Sequence, residues 1–373
     1  MDESLKPAKM IPATGDYADS ARLWQGIPGI EATPGGRLWA LWYTGETGEG
    51  PGNVVAVATC AGGDAPWEPP RFVIRHDTPA VRCYDPCLWL DPLGRLWLFW
   101  TQSESYHDGR AGVWAVRAAD PEDPQTAWSA PRRICNGVMM NKPFILSTGE
   151  WCMPAAVWGA VDPRHPRVPE CDRRSNLWVS CDCGATWTLR GGPDVANRIF
   201  DEHAAIDRAD GSLWMLVRRR DGIGEAVSTD RGRTWTANPD VVFPGPSARF
   251  CLRRLRSGKI LFVTHVDTQR RERLLARLSE DDGRTWIGGL MIDERLGVSY
   301  PDAAEDADGL IHVIYDFQRG DNGERPAERA ILEARFRESD IISGAFASQG
   351  AKERIVINRA TGEPAATKGE PKQ

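Results

Sequence analysis

A turn glycine followed by a run of apolar residues recurs six times along the chain. The copies are Gly36-Arg-Leu-Trp39, Gly94-Arg-Leu-Trp97, Gly149-Glu-Trp151, Gly211-Ser-Leu-Trp214, Gly258-Lys-Ile-Leu261 and Gly309-Leu-Ile-His312. Each has a strand-like segment on either side, the pattern of a β-hairpin closed at a glycine turn. Intervals of 47 to 62 residues between the glycines leave room for four short strands per repeat. The expectation is an all-β fold, a six-bladed β-propeller in a single domain over residues 1–348. Residues 349–373 are rich in Lys, Glu, Ala, Gly and Pro without an apolar period, which predicts a loose polar tail. Blade six is then expected to close with a strand from the other terminus.

A second repeat is interleaved with the first. Ser180-Cys-Asp182-Cys-Gly184-Ala-Thr186-Trp187, Ser228-Thr-Asp230-Arg-Gly232-Arg-Thr234-Trp235 and Ser279-Glu-Asp281-Asp-Gly283-Arg-Thr285-Trp286 are spaced by 48 and then 51 residues. The Ser, Asp and Thr oxygens can cap the backbone N–H groups of a tight turn. The glycine takes a backbone angle that other residues disfavour, and the tryptophan covers the hairpin with a large apolar face. Degenerate copies end at Trp67 and Trp128 in the first two repeats. The motif S-x-D-x-G-x-T-W resembles the Asp-box of sialidase-type propellers and is a folding device rather than a catalytic one.

Composition narrows the field. A net charge of −6 without a basic stripe argues against nucleic acid as a partner. No apolar run approaches the ~18 residues of a membrane span, and the opening Met-Asp-Glu-Ser-Leu-Lys-Pro has no apolar segment of a secretory leader. As written, the sequence is expected in the cytoplasm, or outside it if a leader has been removed. The nine cysteines are scattered through predicted strands and read as small buried thiols of a reducing compartment. Cys181-x-Cys183 lacks a second pair at zinc spacing, so neither a metal nor an organic cofactor is expected.

Register turns the hairpins into a site. In an antiparallel hairpin the start of the first strand and the end of the second share the edge away from the turn. Nine residues before each turn glycine stand Ile27, Asp85, Met140, Glu202, Arg249 and Tyr300; seven after it stand Tyr43, Thr101, Ala156, Arg218, His265 and Asp316. With these strands innermost, one rim of the central channel gathers Asp85, Glu202, Arg218, Arg249, Tyr300 and Asp316, with Arg82, Lys142, His203 and Asp302 nearby.

Over nearly its whole length the chain resembles the sialidases (neuraminidases) of the Asp-box, six-bladed type. Glu202 with Arg218 sixteen residues on looks like the segment carrying the catalytic Glu and a carboxylate-binding Arg. Ser299-Tyr300-Pro-Asp302 looks like the segment of the nucleophilic Tyr, and Arg249 is similar in place to the third arginine of the triad. Two features depart from the pattern. The family's first arginine belongs to an Arg-Ile-Pro motif, where this chain has Gly26-Ile27-Pro28. Its general-acid Asp lies on the loop after the first hairpin, where Thr44-Gly-Glu46-Thr-Gly-Glu49 offers only glutamates.

The resemblance implies an exo-glycosidase acting on a terminal acidic sugar, sialic acid or a related one. Arginines hold the sugar's carboxylate bidentately, and Tyr replaces the usual second carboxylate as nucleophile. Tyr300 and Glu202 form the nucleophile pair, and Asp85, or Glu46 or Glu49 of the first loop, the acid. Arg82, Arg218, Arg249, Lys142, His203, Asp302 and Asp316 are the candidate binding residues. Two other readings use the same fold: a uronate lyase, with His203 or Tyr300 abstracting a proton beside Lys142, and a carbohydrate-binding propeller without catalysis.

Overall fold

A computed structural model describes residues 2–46, 48–104, 111–158, 169–320 and 328–363. Six antiparallel sheets follow one another along the chain. Blade one comprises Trp24–Ala32, Leu38–Gly45, Val54–Cys60 and Phe72–Arg75; blade two comprises Val81–Leu90, Leu96–Glu104, Gly112–Arg117 and Arg132–Asn136. Blade three is built from Phe144–Ile145, Trp151–Pro154, Leu177–Ser180 and Thr188–Gly191. Blade four takes Ala204–Asp207, Leu213–Arg219, Gly222–Ser228 and Thr236–Ala237, with Phe243–Pro244 as an added edge piece. Blade five holds Cys251–Arg254, Ile260–His265, Leu274–Ser279 and Ile287–Asp293, and blade six holds Val298–Glu305, Ile311–Phe317, Ala330–Phe336 and Lys352–Arg359. The first strand of each blade lies at a sheet edge and faces the first strands of its neighbours, so these six strands line the channel.

The termini depart from the sequence expectation. Blade six completes itself with Lys352–Arg359, paired to Ala330–Phe336. The N-terminal strand Lys9–Pro12 instead extends the outer edge of blade one against Phe72–Arg75. The residues after 348 are therefore not all a loose tail. Outer strands bury one face only, so a short alternation such as Arg354-Ile355-Val356-Ile357, with Ile357 buried, suffices among charged neighbours. The ring is sealed by polar contacts: Gln25 Nε2 donates to the Arg329 carbonyl at 2.7 Å and Arg22 Nη2 to Asn358 Oδ1 at 2.9 Å. The cysteine expectation holds for six positions, but Cys171, Cys181 and Cys183 are exposed.

The two sequence repeats interlock. In all three box turns the Ser Oγ accepts the Gly N–H at 2.8 Å, while the Asp accepts the Thr N–H at 2.8 Å and the Thr hydroxyl at 2.6 Å. These bonds pull the aspartates Asp182, Asp230 and Asp281 down to about 2. A Cβ at Gly184 of blade three would lie 2.8 Å from the Trp97 ring of blade two, and one at Gly283 of blade five 2.3 Å from the Trp214 ring of blade four. The boxes of blades three and five thus cap the hairpin tryptophan of the preceding blade, while Gly232 of blade four faces Leu177 and Leu213 instead. The degenerate copy does the same: Trp128 packs edge-on against Trp39 at 5.6 Å. Trp39, Trp97 and Trp214 are almost completely buried, each adding roughly 4–6 kcal/mol of gross apolar burial to an inter-blade contact.

Candidate active site

The inner strands do not enter the channel as regular β-structure. Ile27, Asp85, Glu202 and Tyr300 all have positive φ, at 56°, 45°, 41° and 53°. These are four of the six equivalent positions picked out by register. In blades one, two and six the pairing slips across that residue, between Gly26 and Gly29, Tyr84 and Cys87, and Ser299 and Asp302. A bulge re-aims the side chain at its apex, and non-glycine residues held at such angles concentrate at functional sites. A proline follows in those three blades (Pro28, Pro86 and Pro301), placing a residue without an N–H where the ladder is broken. That Xaa-Pro, nine residues before the turn glycine, is a sequence signal for the bulge.

Two of the aimed groups, Glu202 and Tyr300, meet each other and Arg218 of the adjacent strand. Glu202 Oε1 accepts from Arg218 Nη1 at 2.5 Å and from the Tyr300 hydroxyl at 3.2 Å, and Arg218 Nη1 is 3.2 Å from that same phenol oxygen. All three residues are buried. Arg218 is fixed by Ser247 Oγ at 3.0 Å and lies over the Phe200 ring. Glu202 Oε2 and Asp85 Oδ1 are buried without a hydrogen-bond partner, so each retains an acceptor site that a ligand can fill. Burial, then the Glu202 charge, raises the Tyr300 phenol above its usual value against the pull of Arg218, Arg271 and Arg319. Burial, then the charges of Glu49 and Glu202, holds Asp85 well above the usual carboxylate range against Arg82 and Arg249. The site therefore sets the Tyr300 phenol beside Glu202, and burial favours the protonated form of both Tyr300 and Asp85.

Two cations here were not in the sequence reading. The guanidinium groups of Arg271 and Arg319 each lie 5.0 Å from the centre of the Tyr300 ring. Arg271 Nη2 donates to the Ser247 carbonyl at 3.0 Å and Arg319 Nη1 to Glu49 Oε1 at 3.2 Å. Both follow strand ends at irregular offsets, beyond the reach of a register argument.

Other candidates are placed differently. Arg249, expected on the carboxylate, is wholly enclosed; it donates to Asn141 Oδ1 at 3.2 Å and to the Pro28 carbonyl at 3.3 Å, with Asp302 at 3.7 Å. It braces blades one, three and six. Lys142 donates to the carbonyls of Ile30 and Leu88 and pairs with Asp302 and Glu31 at 3.0 and 3.3 Å. Lys142 and Asp302 thus form a buried cross-link, and Asp302 also accepts the Ile30 N–H. Asp316 accepts the Ile27 N–H at 2.8 Å, holding a bulge in place. His203 is buried with its Nε2 2.7 Å from the Asn176 carbonyl, and no hydrogen bond ties it to Glu202 or Tyr300 among the described residues. Elimination would thereby lose both His203 and Lys142. Glu46 is exposed, and the first loop reaches the site through Glu49 instead. Arg82 is buried over Tyr84, its guanidinium 3.9 Å from the ring centre, and its charge opposes the upward shift of Asp85.

Six blades around a channel, with a phenol, a carboxylate and arginines at one mouth, define a sialidase-like propeller. The chain belongs to the BNR repeat-like domain family, which matches residues 36–313. Among solved structures it is similar to the intramolecular trans-sialidase of Ruminococcus gnavus bound to oseltamivir carboxylate, with TM-score 0.66 and 13% identity over 90% of this chain and 98% of that one. The leech intramolecular trans-sialidase complexed with 2,7-anhydro-Neu5Ac gives TM-score 0.67 and 14% identity over 91% and 71%. The NanB sialidase of Streptococcus pneumoniae gives 0.65 and 12% over 90% and 71%. Likeness at such identities establishes the fold. No curated protein sequence matches the chain.

Proposed function

We propose that the protein is a glycoside hydrolase that releases a terminal carboxylated sugar, sialic acid or a close relative. The observation that carries this reading is the triangle of Arg218, Glu202 and Tyr300, flanked by Arg271. A phenol is a poor nucleophile while protonated, and Glu202 Oε1 lies within reach of its proton. Arg218 and Arg271 supply forked donors for a substrate carboxylate. A nucleophile that is neutral in the resting state avoids setting a second anion against that carboxylate.

In the first step the Tyr300 oxygen bonds to the anomeric carbon and its proton passes to Glu202. The glycosidic bond breaks, and the leaving oxygen takes the proton of Asp85. In the second, water attacks the same carbon and gives a proton to the Asp85 carboxylate; the Tyr300 oxygen departs and recovers its proton from Glu202. Atoms and charges return to their starting state. The test is turnover of a fluorogenic sialoside: wild type releases the fluorophore, and Tyr300→Phe and Glu202→Gln each lower kcat at least about 100-fold. Absence of release from any acidic glycoside would remove the proposal.

A further inference from the structure

The chain reaches Glu202 through three consecutive residues with positive φ: Phe200 at 57°, Asp201 at 58° and Glu202 itself at 41°. None of the three is a glycine, and each such angle is unfavourable for a residue with a Cβ. The Glu202 N–H turns back onto the Phe200 carbonyl at 2.7 Å, which puts Asp201 at the centre of a three-residue turn of the rarer, strained hand. Backbone of this kind persists only where its surroundings over-determine it. Those surroundings are built on the Asp201 carboxylate, a residue only 1% exposed. Its Oδ1 accepts from Ser175 Oγ and from Arg198 Nη1, both at 2.9 Å, and its Oδ2 accepts from the same Nη1 at 3.0 Å. Arg198 is fixed in turn by the Arg173 carbonyl at 2.5 Å and by Asp194 Oδ1 at 3.1 Å. Ser175 and Arg173 belong to blade three, and Arg198 to the link that leads into blade four. The Asp201 carbonyl accepts the Arg218 N–H at 2.8 Å, so the strained turn is also tied to the strand that carries Arg218.

Resting on the hydrolase reading of this site, we propose that Asp201 is a positioning residue: its buried bonds to Arg198 and Ser175 hold the left-handed turn that aims Glu202 at the Tyr300 hydroxyl. Without that clamp the segment relaxes towards ordinary backbone angles, and the Glu202 carboxylate moves off the phenol that it now meets at 3.2 Å. The loss falls on proton transfer from Tyr300, which depends on that contact. Substrate binding is spared, because Arg218 keeps its own bond to Ser247 at 3.0 Å. Asp201 thus acts through Glu202 and through the backbone, without touching the sugar.

The test measures kcat and KM on a fluorogenic sialoside, with thermal melts to confirm that each variant is folded. Asp201→Ala should lower kcat at least about tenfold and leave KM within about threefold of wild type. Asp201→Asn should recover most of the lost kcat, because asparagine tolerates the left-handed region and keeps an oxygen for Ser175 to donate to. If Asp201→Ala does not fold, Arg198→Gln carries the expectation: it leaves the aspartate and its Ser175 bond in place and should lower kcat at least about threefold at unchanged KM. Wild-type kcat in folded Asp201→Ala, or an Asn variant no better than the Ala one, would overturn the inference while leaving the hydrolase reading intact. No turnover by wild type would remove both.

Discussion

At the scale of single residues, the site depends on side chains aimed by backbone rather than supplied by strand regularity. Position alone picks out Glu202, Tyr300 and Asp85 as equivalent points of different hairpins, and the structure brings Glu202 and Tyr300 into hydrogen-bond contact. Met140 and Arg249 occupy the same register without a positive φ and join the buried framework instead. Ile27 has a positive φ and lies in the apolar core, and Arg249 keeps a buried Nη2 without a hydrogen-bond partner, so register sets height in the channel and does not by itself decide which side chain can meet a ligand. Asp85 carries a testable role. Burial holds its proton well above the usual carboxylate range, so turnover should fall as pH rises and Asp85 ionises. In Asp85→Asn this alkaline limb should vanish. Its kcat on a sialylated oligosaccharide should drop at least about 100-fold, while an aryl sialoside, whose leaving group needs no proton, is nearly unaffected. Equal losses on both substrates would assign Asp85 a structural role.

At the scale of elements, the box turn and the hairpin tryptophan act as one inter-blade joint. Gly283 has φ +83° and leaves no room for a methyl group, with Trp214 at 2.3 Å; Gly309 has φ +77° and only Arg337 at 3.7 Å. Gly309→Ala should therefore cost about 1 kcal/mol from the backbone alone, whereas Gly283→Ala should cost about 2–4 kcal/mol by adding overlap in a packed joint. Denaturant titration of the two variants measures the difference, and equal costs would mean that the boxes do not lock the blades. The motifs were legible in the sequence, but the packing of Gly184 on Trp97 and of Gly283 on Trp214 across blades was not, because spacing within a repeat does not say which neighbouring repeat it touches. Nor was the outer strand Lys352–Arg359 legible: its composition is that of a solvated segment, and only its pairing with Ala330–Phe336 shows that one buried face is enough.

At the scale of the whole molecule, the channel below the mouth is filled by charges that pair across blades, Lys142 with Asp302 and Glu31, and Arg253 with Glu31. Acid weakens the ring elsewhere. Burial lowers His265 from 6.5 to about 4, so the unfolded chain binds a proton there that the folded chain refuses. The stability from keeping it neutral is present above about pH 6.5 and lost as pH falls towards 4, by up to about 3 kcal/mol. His265→Gln should flatten the stability profile across that window, as read by thermal melts. An unchanged acid slope would place the sensitivity at another group.

The most direct measurement of the central claim is capture of the covalent intermediate. A fluorinated sialosyl fluoride, which forms the tyrosyl-sugar bond faster than water can break it, should add one sugar mass to the peptide containing Tyr300. Tyr300→Phe should remain unmodified. A sugar adduct on a different residue, or sustained turnover by Tyr300→Phe, would contradict the account.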